Sequence, residues 1–520
     1  MTLYQWFIFF LGVQLIHYLG TWKLYEKAGR KGWEAGIPIY NSIILMKIIN
    51  RPTWWTFLLF VPVINLIMFP IVWVETLRSF GKNSTLDTFL GIITCGFYIY
   101  YINYTQNVTY ITDRSTIATT KTGDTVSSLL FAIIVATFVH TYFIQPFTIP
   151  TSSLEKSLLI GDFLFVSKYN YGARVPMTTV AAPMVHDTLP IINVKSYSKW
   201  PQLPYFRFPG FEKIKNNDIV VFNWPVDTVV KFFDRSGIKA DKPVDKKSNY
   251  VKRCVGIAGD SLEIKKGIVY VNGKELKFPE RARPQYSYIA VYDKKTQIDD
   301  LNALYKDLKI TKADEPRPMN QNNDSIYFPA MTLESSNKLR QIPGFISVTR
   351  YVETKPDLSV FPHSKPWNID NYGPIYIPEQ GKSVQLDLVS LPLYSRIITE
   401  YEGNKLEIKG SDIYINGEKT KTYIFKQDYY WMMGDNRHRS EDSRYWGYVP
   451  ENHIVGKPIF IWMSWDSEGK GIMNKIRWER LFTTVSGEGQ PQSYFKYFLF
   501  LLAAYFVGEY FWKKRKAKSE

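Results

Sequence analysis

Two patterns of hydrophobic and polar positions divide this chain. In the first 145 residues, apolar segments at 4–18, 54–74, 86–104 and 126–144 each approach the roughly 20 residues an α-helix needs to cross a bilayer, and a fifth occupies 497–512. Segment 54–74 contains Pro62 and Pro70, so it reads either as a span supported by its neighbours or as a bent, re-entrant pair. Between 145 and 493 the pattern changes to short β-branched and aromatic runs, at 163–169, 219–223, 250–257, 268–272, 413–416 and 429–433. Gly-Asp or Asn-Gly turns accompany several of them, at Gly161-Asp162, Gly259-Asp260, Asn272-Gly273 and Asn416-Gly417. A mainly β domain carried by α-helical membrane segments is the expected fold class. Two stretches echo each other: Leu262-Glu-Ile-Lys followed by Val-Tyr-Val-Asn-Gly, and Leu406-Glu-Ile-Lys followed by Ile-Tyr-Ile-Asn-Gly. They predict similar hairpins around an insertion that lets the chain re-enter the same sheet.

Charge orients the membrane segments. Lys23, Lys27, Arg30, Lys31, Lys47 and Arg51 follow the first span, and Lys513, Lys514, Arg515, Lys516 and Lys518 follow the last; both groups belong inside. Five spans fit these anchors, with the amino terminus outside, 105–125 inside and 145–493 outside. Arg78 and Lys82 then fall outside, a small violation. The first segment lacks the charged leader and small-residue site of a cleavable signal peptide. The net charge of +16 comes without a compact basic motif interleaved with stacking aromatics, so nucleic acid is not an expected partner. With 45% hydrophobic and 22% charged residues, a disordered polyelectrolyte is excluded. Cys95 and Cys254 read as buried free thiols, and six unclustered histidines predict no metal site.

Three stretches could do chemistry. Pro150-Thr151-Ser152-Ser153-Leu154 leaves the fourth span with an extended or turning backbone, because Pro150 disfavours helix at Ile149. A hydroxyl there becomes a nucleophile only with a base and an oxyanion hole. No Gly-x-Ser-x-Gly elbow accompanies His438 or His453, so a desolvated lysine is the alternative base. Lys252, in Tyr250-Val251-Lys252-Arg253-Cys254, alternates onto one strand face with Tyr250 and Cys254, opposite Val251, Arg253 and Val255. The third stretch, 434–447, interleaves charges of both signs with hydroxyls and could hold a lysine in place.

In this order the stretches resemble bacterial type I signal peptidase, the leader peptidase family with a Ser–Lys dyad. Pro150-Thr151-Ser152-Ser153-Leu154-Glu155-Lys156-Ser157-Leu158 with Gly161-Asp162 is similar to its nucleophile box. Asp218-Ile219-Val220-Val221-Phe222 resembles the strand that follows, and Tyr250-Val251-Lys252-Arg253 with Gly256 and Gly259-Asp260 the lysine box. Gly434-Asp435-Asn436-Arg437, Ser440, Asp442-Ser443-Arg444 and Trp446-Gly447 resemble the last box. Leu154 and Lys156 depart from the family's Met and Pro, Ser152 from its small residue, and Thr151 from its Ser.

The resemblance implies Ser153 and Lys252 as catalytic residues and an oxyanion hole of the Ser153 amide and the Thr151 hydroxyl. Ser440 would orient the lysine, and Asp435, Asp442 and Arg444 would form ion-paired support behind it. No cofactor is implied. The implied partners are signal peptides of secreted preproteins ending Ala-x-Ala, the lipid bilayer and the secretion translocon; the implied location is the bacterial plasma membrane, multi-pass, with the catalytic domain on the outer face. The expected organisation is a membrane region of about three spans at 1–125, an anchor at 126–145, catalytic core at 146–276 and 406–492, an inserted subdomain at 277–405, and a span with a basic tail at 493–520. Two rivals differ in class. One is a catalytically degenerate membrane assembly factor. The other is a penicillin-binding-type acyltransferase, suggested by Ser153-Leu-Glu-Lys156 and Lys121-Thr122-Gly123, but the Lys-Thr-Gly precedes the serine where it should follow.

Overall fold

The computed structural model describes residues 1–118, 120–230, 234, 236–293, 301–311, 314–319 and 324–519. They form two compact units. One comprises Met1–Phe143 with Ala173–Phe208 and Thr228–Lys246; the other comprises Ile144–Gly172, Pro209–Asp227 and Lys247–Glu520.

The first unit is helical. Helix α1 (Leu3–Lys27) starts at a capping box in which the Thr2 hydroxyl accepts from the Gln5 amide and the Gln5 side chain accepts from the Thr2 amide. Segment 54–74 is not one helix. It breaks between a short turn, Trp55–Leu58, and α2 (Asn65–Ser79), around Pro62 and a left-handed Val63. Segment 86–104 becomes α3 (Thr85–Ile93) and α4 (Tyr98–Thr105), bent by 117° where Cys95 and Gly96 both take positive φ. Helix α5 (Lys121–Tyr142) runs unbroken to the unit boundary. Among the described residues, only α1 and α5 are single helices long and apolar enough to cross a membrane, with the bent pair a third at most, against the five spans expected. Backbone reversals break the second and third segments, whereas the fifth lies in an unbroken helix, Phe495–Ser519, that is not apolar enough to be among them. The same bend exposes Cys95, which corrects its expected burial; Cys254 is buried. The segments 173–208 and 228–246 are held by scattered pairings such as Thr178 with Gln202 and Val229 with Lys239.

The second unit is built on one sheet. Its strands are β1 (Ile144–Thr148), β2 (Asp162–Ser167), β3 (Ile219–Asn223), β4 (Asn249–Gly256), β5 (Tyr429–Met433), β6 (Val449–Pro450) and β7 (Ile454–Ser464), in the order β1-β2-β7-β3-β4-β5-β6, with an eighth, β8 (Thr483–Thr484), paired to β7 off this path. Pro146 lies in β1, at the sheet edge, where a missing donor costs no ladder bond. Every residue of β3 and β5 is buried, as are Lys252 through Gly256 of β4. These strands are covered on both faces.

The echoing stretches do form two hairpins, Ser261–Lys265 with Ile268–Val271 and Leu406–Lys409 with Asp412–Ile415. They do not share a sheet. Tyr372–Tyr376 pairs the outer side of the first, whereas the second pairs only with Glu418–Lys419. Both pack on one core around Trp431, Tyr429 and Tyr448, so similar sequences cover different flanks of the same cluster. Within 277–405, Phe361, Ile377, Leu386 and Leu391 belong to that core, while Gln285–Tyr292, Ser325–Thr332 and Phe345–Arg350 make a sheet of their own.

Candidate active site

The sequence leaving β1 is pinned at both ends. The Ile149 amide donates to the Asp162 carbonyl and the Gly161 amide to that of Ile149, each at 2.9 Å, closing 149–162 into a loop. Asp162 is buried, accepts from Ser464 Oγ at 2.6 Å and is gripped by the Arg480 guanidinium through both oxygens. Leu154 and Leu158 point into a core with Leu164, Val166 and Val221, which fixes the intervening turn. Lys156 sits at φ +71°, a conformation closed to proline, so the departure from the family pattern there matches a different backbone.

Ser153 lies in the single 3₁₀ turn Ser152–Leu154 and is 7% exposed. Lys252, in β4 and 3% exposed, brings Nζ to 2.5 Å from Ser153 Oγ. Burial lowers the Lys252 ammonium from the usual lysine range to about 8; Asp442 and Glu441 pull the other way, and Arg444 adds to the drop. Such a lysine is uncharged in roughly one molecule in ten at neutral pH. It can accept a proton from a hydroxyl it already touches. The nearby Lys156 instead donates from Nζ to the Lys309 carbonyl.

Behind the pair stands 434–444. The Asn436 amide and Nδ2 donate to the carbonyls of Ser153 and Ser152, at 3.1 and 3.3 Å, and so tie this loop to the serine turn. Asp435 does not reach toward the lysine. It accepts from Arg253 Nε and Nη2 at 2.7 and 2.6 Å and from Ser157 Oγ at 2.5 Å. Burial alone would raise its carboxyl; the Arg253 guanidinium holds it below the usual range. Asp442 is likewise held low against its burial by Arg444, which binds it through Nε and Nη2 at 2.8 Å each, and it accepts from the Gly434 amide. Ser440 is buried, its hydroxyl has no hydrogen-bond partner among the described residues, and it abuts Gly434. A Cβ on Gly434 would lie 2.2 Å from Ser440 Oγ and 2.5 Å from the Ser153 carbonyl oxygen, so only glycine fits. Thr151, two residues before Ser153, is half-buried in extended backbone.

Three contributors escaped the sequence reading. Strand alternation set Arg253 opposite Lys252, yet both faces of β4 are covered and Arg253 is a buried partner of Asp435. Asn436 looked like one polar residue among many. Gln285, inside the stretch to which no chemistry was assigned, donates from Nε2 to the Glu155 carbonyl and exchanges backbone bonds with Asp435 and Arg437. His438 is engaged by Asp370 at 3.0 Å and by the Ser287 amide. Among the described residues no cluster of His, Cys, Asp and Glu has a metal-binding arrangement.

The family model described as signal peptidase, peptidase S26, matches residues 122–326 and 419–465, which contain Thr151, Ser153, Lys252, Arg253, Asp435, Ser440, Asp442 and Arg444 but not Asp370 or Arg480. A family of unknown function, DUF5684, matches 33–113. The chain is 24% identical over 375 residues to signal peptidase I of Haemophilus influenzae, covering 70% of this chain and 76% of the relative. It is 25% identical to signal peptidase I of Rickettsia typhi, covering 69% and 89%, and 25% identical to that of Helicobacter pylori, covering 69% and 92%.

Proposed function

We propose that this chain, a membrane-anchored serine peptidase belonging to the signal peptidase family, removes signal peptides from exported preproteins with Ser153 as nucleophile and Lys252 as its base. The observation that carries the reading is the 2.5 Å approach of Lys252 Nζ to Ser153 Oγ, both side chains buried. Neutral Lys252 takes the Ser153 proton as Oγ attacks the scissile carbonyl, then passes it to the leaving amine, and an acyl-enzyme forms. The Ser153 amide and the Thr151 hydroxyl stabilise the oxyanion, a contribution of roughly 3–4 kcal/mol per donor in comparable sites. Lys252 next activates the water that releases the acyl group. The Arg253–Asp435 and Arg444–Asp442 pairs keep the surrounding charges fixed, while Ser440, expected to orient the lysine, leaves its hydroxyl without a hydrogen-bond partner among the described residues.

An extended substrate suits the fold. Strand β1 is an edge strand leading directly to Ser153, so a peptide can add to its open side with small residues facing the nucleophile, as an Ala-x-Ala terminus provides. The nucleophile follows α5 by eleven residues, which favours substrates tethered to the same bilayer. The catalytic domain then works on the outer face of a plasma membrane that the chain crosses more than once, within reach of the translocon.

The test is the new amino terminus of a model preprotein after incubation with purified protein. Cleavage after Ala-x-Ala, abolished by Ser153→Ala and by Lys252→Ala with membrane insertion unchanged, is the expected outcome. Cleavage surviving Ser153→Ala would remove the nucleophile from the account.

A further inference from the structure

The two apolar segments between α1 and α5 begin and end at the same place. Arg51, just before segment 54–74, has Nε 3.1 Å from Glu75 Oε2, just after it. A segment crossing the bilayer would separate those residues by about 30 Å. Lys82, before segment 86–104, has Nζ 3.4 Å from Gln106 Oε1, after it. Arg114 comes back to Glu75 at 2.5 Å and donates to the Ile49 carbonyl, and the Ile111 amide donates to that of Ser79. The ends of the first segment are therefore knotted around one buried carboxylate, which Arg51, Arg78 and Arg114 surround, and those of the second meet at Gln106.

The ends of α1 locate this knot. At the carboxyl end, Lys27 Nζ donates to the Gln106 carbonyl. At the other end, about 37 Å away for 25 residues of helix, Trp6 Nε1 and the amino terminus donate to the carbonyl of Gln202, which follows α5 in the chain. The α1 ends thus mark two faces, and the Glu75 knot lies on the face where α1 finishes, with Arg51 Nη2 donating to the carbonyl of Thr116, five residues before α5. Beyond the knot, the segments present Phe57, Phe60, Phe89, Ile92, Ile93 and Phe97 as exposed apolar side chains.

We infer that residues 28–118 form a one-sided, re-entrant membrane insert: both apolar segments dip among the acyl chains and return to the same face, the first locked by Arg51, Arg78 and Arg114 on Glu75 and the second by Lys82 on Gln106. Its occupant is lipid, because the apolar tips belong to a unit whose α1 and α5 cross the bilayer, and because the knot gathers an excess of guanidinium where anionic headgroups lie. Arg78 and Lys82 then rejoin Lys27, Arg51 and Arg114 on one side, and the charge violation of the five-span scheme disappears. The inference takes from the proposed function only that α1 and α5 cross the membrane.

Single cysteines at Lys31, Asn83 and Asp113, in a Cys95→Ser background, test it by reaction with a membrane-impermeant maleimide applied to right-side-out and to inverted vesicles; Lys274→Cys reports the catalytic domain. All three membrane-region cysteines are expected to label from one face only, opposite to Lys274→Cys. Labelling of Asn83→Cys from the face opposite Lys31→Cys and Asp113→Cys would make both segments true spans and overturn the insert. If the three share a face with Lys274→Cys, α5 does not cross the bilayer and the inference falls with that premise; if they label from the outer face and Lys274→Cys from the inner one, only the outer placement of the catalytic domain fails.

Discussion

An ordinary lysine stays charged until about pH 10.4, and a serine hydroxyl is inert beside it. Lys252 differs because β4 is covered on both faces, so its ammonium loses hydration that the flanking acids only partly replace. The next residue shows the opposite solution to burial. Arg253 stays charged and is matched through two hydrogen bonds to Asp435. Arg253→Met should leave that carboxylate buried and unpaired and cost about 3–5 kcal/mol, read as a lower thermal midpoint in detergent, whereas Arg253→Met with Asp435→Leu should recover most of it. Equal losses in both variants would mean that packing, not charge, is what Arg253 supplies. The motifs around Ser153 and Lys252 were legible because each is a short local pattern whose order along the chain carries meaning. Arg253 with Asp435 was not: 182 residues separate them, and alternation sets Arg253 on the face opposite Lys252 without telling that the fold covers both faces.

At the scale of elements, the loop 434–444 holds the serine turn through Asn436 while Gly434 leaves room for Ser440 and the Ser153 carbonyl. Gly434→Ala must push one of them aside. A displacement near an ångström at the nucleophile is expected to slow cleavage about 100-fold, with the chain still inserted and folded; wild-type turnover in this variant would show that the loop has slack. Strands and hairpins were readable from alternation and turn residues, and both echoed hairpins form where the pattern sets them. Their sheet was not readable, since it depends on which strand arrives at the outer edge, here Tyr372–Tyr376 at the first hairpin. Whether the second and third apolar segments run straight was unreadable for a related reason: apolar content does not register Val63, Cys95 and Gly96, all at positive φ, where the backbone turns.

The whole molecule joins a peptidase fold to membrane helices, and the stretch 277–405 takes part in the site. Gln285 is buried between the Glu155 carbonyl and the backbone of 435–437. Gln285→Ala strands that carbonyl and should cost about 1–3 kcal/mol, together with a lower cleavage rate; a variant indistinguishable from wild type would reduce the stretch to an appendage. Composition alone could assign this region to the surface, because its Pro-, Asn- and Lys-rich parts are the ones that sequence makes conspicuous. The buried positions that tie it to the core are scattered singly among them.

The account rests on Lys252 acting as an uncharged base, and the pH dependence of acylation under single-turnover conditions reports that most directly. Because the reactive form is the deprotonated one, the rate should rise with pH through one ionisation near 8 and level off above it. A rate that is flat across that range, or that rises through a midpoint in the range of free histidine, would contradict it.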